Sequence, residues 1–167
     1  NTDAVKRFHR EARAATAFDH PHAIRLIDFG QAATRELFMV MEFLDGRSLS
    51  KVLKDEAPFP VVRAAKVAGD IANALAAAHK VGLVHRDKKP DNVFLLDVSG
   101  NADFVKVLDF GIAKFVSGTG DSTMTRTGLI VGTPQFMAPE QAKADKGLSP
   151  AVDVYALGVM LYAMLVG

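Results

Sequence analysis

Between Val84 and Leu96 the chain reads Val-His-Arg-Asp-Lys-Lys-Pro-Asp-Asn-Val-Phe-Leu-Leu, and no other stretch restricts the fold as much. Val84 and the run Val93, Phe94, Leu95, Leu96 have the β-branched and large apolar character of strands. The polar residues between them include Pro90 and must form a loop. That loop holds a carboxylate at Asp87, an ammonium at Lys89 and a side-chain amide at Asn92, spaced i, i+2 and i+5. Groups crowded in this way repel or desolvate one another unless a ligand or a reaction employs them.

Phosphoryl transfer employs such a set: a carboxylate to accept a hydroxyl proton, a cation on the moving phosphate and an amide oxygen on Mg²⁺. A charged turn between two strands is the plainer alternative for the stretch taken alone. His85-Arg86-Asp87, followed by Lys89, Pro90 and Asn92, resembles the catalytic loop of eukaryotic-type protein kinases, in particular the serine/threonine kinases of bacteria. Asp109-Phe110-Gly111 begins 22 residues after Asp87, behind the apolar strand Val105 to Leu108, and resembles the family's magnesium motif. Ala138-Pro139-Glu140 resembles the end of the activation segment, with Glu140 lying 31 residues after Asp109. Gly132-Thr133-Pro134 precedes it and resembles the substrate-docking stretch of Ser/Thr kinases.

The resemblance implies a role for each matching residue. Asp87 orients or deprotonates the acceptor hydroxyl, Lys89 stabilises the transferring phosphate, and Asn92 and Asp109 hold Mg²⁺ beside ATP. Lys89, two places after Asp87, points to Ser/Thr rather than tyrosine acceptors. Glu11 on the first helix orders the ATP-binding side, and Met41, Glu42 and Leu44 form the gatekeeper and hinge, with the Glu42 carbonyl and Leu44 amide meeting adenine. Arg86 is placed to grip a phosphate on the following loop, where Thr125 and Thr127 are the leading acceptors, ahead of Ser122 and Thr123. His85, Phe110, Gly111, Glu140 and Asp153 are structural, and a buried Asp153 needs hydrogen-bond partners near His85 and Arg86.

The implied fold is α+β, the two-lobe kinase architecture in truncated form: 1–44 as a remnant of the small lobe and hinge, 45–167 as the large lobe through its buried helix. The sequence also departs from the family. No Gly-x-Gly-x-x-Gly occurs, and no strand lysine is available to Glu11, because Lys66 and Lys106 lie in other elements. Lys88 stands where relatives carry an apolar residue, and Ala163 where many carry glutamate. Negligible phosphotransfer is therefore expected from these 167 residues by themselves, since half of the phosphate clamp is missing. A non-catalytic, pseudokinase-like scaffold is the alternative reading from another function class.

Composition narrows the setting. A net charge of +1 with scattered Lys and Arg indicates no nucleic-acid surface; the partners that the resemblance implies are ATP and Ser/Thr-bearing protein substrates, with autophosphorylation in trans. There are no cysteines, which favours a cytoplasmic setting, and the longest apolar run, Val154 to Val166, is too short to span a bilayer. That run suits a buried helix, whose position at the end of the chain is expected to leave an apolar patch uncovered.

The local pattern predicts helices over 2–18, 48–53, 61–79 and 150–165. Strands are predicted at 23–29, 36–41, 84, 93–96 and 105–108, a turn at Asp45-Gly46, and a loop over 117–135.

Overall fold

The computed structural model describes residues 5, 6, 8, 9, 12, 13, 16–85, 87–108, 134–143 and 148–167. Helical backbone at 5, 6, 8, 9, 12, 13 and 16 agrees with the predicted first helix. Its i, i+4 pair Phe8 and Ala12 is fully buried against Leu26, with Phe29, Leu37 and Met39 packed around them. Leu26 and Phe29 belong to strand β1 (Leu26–Gln31), and Leu37 and Met39 to β2 (Leu37–Met41), which pair as an antiparallel hairpin. This small layer is the hairpin anticipated across Gly30 to Arg35.

The larger body is built on a second sheet, β3 (Gly46–Ser48), β4 (Val93–Val98) and β5 (Asn101–Val107), in the order β3-β4-β5 and antiparallel throughout. Helix α1 (Leu49–Glu56) follows β3 directly, and the Ser48 hydroxyl caps it by accepting from the Lys51 amide at 3.3 Å. Helix α2 (Val61–Lys80) buries the stripe Val67, Ile71, Ala74, Leu75 and Ala78, as the helical spacing requires. Gly82 then ends it at φ +77°, a left-handed conformation that glycine enters without a Cβ penalty.

A short helix α3 (Pro139–Ala142) precedes α4 (Ala151–Val166). Met160 and Met164 of α4 are fully buried in the core formed by α2, β4 and β5. Each such side chain contributes about 1.5–3 kcal/mol relative to exposure. The opposite side of α4 leaves Val154, Tyr155, Tyr162 and Val166 exposed, the apolar patch expected from its composition. Among the described residues no helix is long and apolar enough to cross a membrane.

Three local expectations are corrected. Val84 belongs to no strand among the described residues; it lies in irregular chain between α2 and the loop that follows. Gly46 is not in a turn but opens β3, paired with Leu96, and a Cβ there would sit 2.5 Å from the Leu95 carbonyl oxygen. Only glycine allows that approach. β5 starts at Asn101 rather than 105, because Ser99 and Gly100, both at positive φ (53° and 78°), make the two-residue turn that pairs Val98 with Asn101.

The two sheets meet along one segment. The His22 carbonyl accepts from the Val107 amide and the Ile24 amide donates to the Val107 carbonyl, both at 2.8 Å, so Ala23 forms a parallel bridge to the end of β5.

Candidate functional site

The loop from His85 to Asn92 is held by a closed set of hydrogen bonds. The Asp87 amide donates to His85 Nδ1 at 3.3 Å, so the ring proton resides on Nε2 and is donated to the Leu108 carbonyl at 2.6 Å. One imidazole thereby joins the loop to the residue just before Asp109. Pro90–Asn92 form a single 3₁₀ turn, with the Asn92 amide donating to the Lys89 carbonyl at 3.0 Å. The Asn92 carbonyl accepts from the Leu108 amide at 2.8 Å, a second tie between the same two segments.

This scaffold collects the three polar groups of the loop. Asn92 Nδ2 donates to the Asp87 backbone carbonyl at 2.9 Å, which commits the amide nitrogen and leaves the amide oxygen, a hard donor suited to Mg²⁺. Lys89 Nζ lies 3.9 Å from Asp87 Oδ2, beside the carboxylate without a tight contact. The Asp87 side chain is 47% exposed, so an incoming hydroxyl can reach it. The chemistry available is a solvent-facing base, an adjacent cation and an oxygen ligand on one rigid turn.

Beneath the loop, Asp153 of α4 is 1% exposed and Oδ2 accepts from the His85 amide at 2.9 Å, as the need of a buried carboxylate for partners predicts. The same oxygen accepts from His79 Nε2 at 2.8 Å. His79 was not foreseen, although it sits four residues after the buried Leu75 on the stripe side of α2.

Met41, Glu42 and Leu44 follow the small hairpin: Met41 is the last residue of β2, and 42–45 carry neither strand nor helix. The Glu42 carboxylate makes contacts that sequence reasoning did not suggest. Its Oε1 accepts from the Arg25 amide at 2.8 Å and from Lys106 Nζ at 2.6 Å. Partial burial pushes this carboxyl up, but the Lys106 ammonium and the Arg25 amide outweigh it and hold the group below its ordinary value. Lys66, the other lysine noted in the sequence, donates to the Ala102 and Asp103 carbonyls and stands apart from this constellation.

Glu140 lies half-buried on α3. Its neighbour Gln141 is buried, and Gln141 Oε1 accepts from the Ala138 amide at 3.2 Å to cap the helix. Glu11, Arg86, Asp109, Phe110, Gly111, Thr125, Thr127 and Thr133 lie outside the described residues. The structure thus brings together His85, Asp87, Lys89, Asn92 and Asp153, with Glu42 on the separate layer above β5.

The family described as "Protein kinase domain" matches residues 1–167. "Serine/threonine-protein kinase pkn3" of Myxococcus xanthus is 43% identical over 164 residues, covering 98% of this chain and 30% of that protein. Among solved structures, the Mycobacterium tuberculosis PknI kinase domain superposes with a TM-score of 0.73 at 28% identity, covering 99% of this chain and 58% of that one. A Rad53 structure (residues 1-466, in complex with AMP-PNP) gives a TM-score of 0.75 at 26% identity, covering 95% and 37% respectively. The chain therefore spans under a third of the Myxococcus relative and somewhat over half of the PknI domain. Because the match runs the whole length of the sequence, the chain belongs to the protein kinase family.

Proposed function

We propose that the Asp87 loop is the catalytic loop of an ATP-dependent kinase that phosphorylates Ser and Thr hydroxyls of proteins. The observation that carries this reading is the arrangement of Asp87, Lys89 and Asn92: an exposed carboxylate with an ammonium 3.9 Å away and an amide anchored to the carboxylate's own backbone carbonyl at 2.9 Å. The AMP-PNP held by the Rad53 chain supports ATP as the donor. Residues 1–44 are read as small lobe and hinge and 45–167 as large lobe, in keeping with the two separate sheets.

In this mechanism Asp87 accepts a hydrogen bond from the acceptor hydroxyl, orients its oxygen toward the γ-phosphorus and takes the proton as the new O–P bond forms, while the bond from the γ-phosphorus to the β,γ-bridging oxygen breaks and ADP leaves. Lys89 places its positive charge on the phosphoryl oxygens during transfer. Asn92 Oδ1, with Asp109, supplies the oxygen ligands for Mg²⁺, which when bound neutralises phosphate charge. The backbone of 42–44 meets the adenine, Glu11 orders the phosphate side, and Arg86 receives a phosphate on Thr125 or Thr127 after transfer between copies. Thr133 contacts the protein substrate.

The test is ATP-dependent phosphorylation of a Ser/Thr peptide library by the full-length protein, with Asp87→Asn as the paired variant. Transfer is expected to fall about 10²- to 10⁴-fold in the variant, the usual worth of a general base. Equal transfer by the variant, or no transfer by the wild type with Mg²⁺ and ATP present, overturns the assignment in favour of a scaffold.

A further inference from the structure

The segment after β2 has little to hold it in place. Residues 42–45 lie outside strand and helix, and the Phe43 side chain is 92% exposed. The backbone bond at its start is from the Glu42 amide to the Arg25 carbonyl, 3.1 Å. Yet a backbone that reads a flat base by its own N–H and C=O groups must be fixed to within a fraction of an ångström to be useful.

Lys106 supplies the missing restraint. On β5 its neighbours Val105 and Val107 are fully buried in the large core, so strand alternation directs Lys106 to the opposite side, toward the small hairpin. There its ammonium donates to Glu42 Oε1 at 2.6 Å and to the Ala23 carbonyl at 3.2 Å. The same Glu42 oxygen accepts from the Arg25 amide, so one ion pair gathers the 23–25 segment, the exit of β2 and β5. The pair is partly buried: the side chains of Lys106 and Glu42 are 15% and 29% exposed. At that burial an intact pair is geometrically demanding, and removing one partner leaves the other charge poorly solvated. Lys106 stands three residues before Asp109 in the sequence, so the tie joins the hinge segment to the strand that precedes the residue read above as a Mg²⁺ ligand.

We propose that Lys106 is a positioning residue for nucleotide binding, its ion pair with Glu42 holding the 42–44 backbone in the geometry that receives the base; this rests on the kinase reading of 42–44. Lys106 touches no substrate. It acts through Glu42, and Arg25 and Ala23 complete the strap.

The experiment compares full-length wild type, Lys106→Met and Lys106→Arg by calorimetric titration with Mg²⁺-ATP, with amide hydrogen exchange read at 42–45. Methionine keeps the apolar stem and removes the charge. It is expected to weaken ATP binding about tenfold and to speed exchange at 42–45, while arginine restores most of both. In turnover the loss falls on KM for ATP rather than on kcat. Wild-type binding that Lys106→Met leaves unchanged, with exchange at 42–45 also unchanged, overturns the strap alone. Absence of ATP binding by the wild type overturns the kinase reading and the strap with it.

Discussion

Asp153 Oδ2 lies 2.9 Å from the backbone nitrogen of His85, across 68 residues of sequence, and the same oxygen receives the His79 imidazole at 2.8 Å. A helix of the large body thus holds the first residue of the His85–Asn92 loop by its main chain. His85 passes the restraint on, through its own ring, to Asp87 on one side and Leu108 on the other.

Asp153→Ala strands a buried amide and the His79 ring. Each lost bond to a charged acceptor is worth about 1.5–3 kcal/mol, so the variant is expected to lose several kcal/mol in urea unfolding. Faster amide exchange over 84–92 should accompany the loss. Unchanged melting together with unchanged protection of that loop would remove Asp153 from its role.

Gly46→Ala tests the close approach of β3 to β4. The new Cβ would lie 2.5 Å from the Leu95 carbonyl oxygen and 3.0 Å from Leu96 Cγ, so the strands must separate. A cost of about 1–3 kcal/mol is expected, the range for overpacking. A variant as stable as the wild type would show that Gly46 sits in a turn after all.

Acid should act through Glu42. Its folded-state pKa lies below the unfolded value of 4.5, because Lys106 and the Arg25 amide outweigh the opposing effect of partial burial. The stabilisation is therefore complete above about pH 4.5 and lost as pH falls through the lower folded value. The melting-temperature gap between wild type and Glu42→Gln should be widest near neutrality and close in strong acid. A gap that stays constant down to pH 3, or widens in acid, contradicts this sign.

Phosphate is expected on Thr125 or Thr127 when the full-length protein is incubated with Mg²⁺ and ATP, and it should be absent from the Asp87→Asn variant incubated alone. Phosphopeptide mapping decides it. An unmodified 117–135 peptide from an active preparation would eliminate both threonines as acceptors.

Much of the site was legible because its chemistry is compressed into eight residues. His85, Asp87, Lys89 and Asn92 are neighbours in sequence, and their types and spacing persist whatever the rest of the chain does. The long helices were equally open to reading: the stripe from Val67 to Ala78 is a local property of α2. Strands were harder. Val84 has strand character but finds no strand partner among the described residues, whereas Gly46, a poor strand former, becomes part of one because Leu96 lies opposite. The 99–100 turn had a signal in its Ser-Gly pair, which the polar run around it obscured.

By itself, then, the sequence determined the family and the positions of the main helices, and it named the groups proposed as reactive, since each is written in contiguous residues and short periodicities. Only the tertiary structure decided that His79 would share Asp153 with His85, and that Lys106 would cross from β5 to Glu42 rather than serve elsewhere. These pairs are 74 and 64 residues apart, and nothing local to either member specifies its partner. What brings them together is burial: packing α4 on α2 and β5 beneath the small hairpin leaves charged groups short of water, and the nearest opposite charge or hydrogen-bond donor becomes the partner.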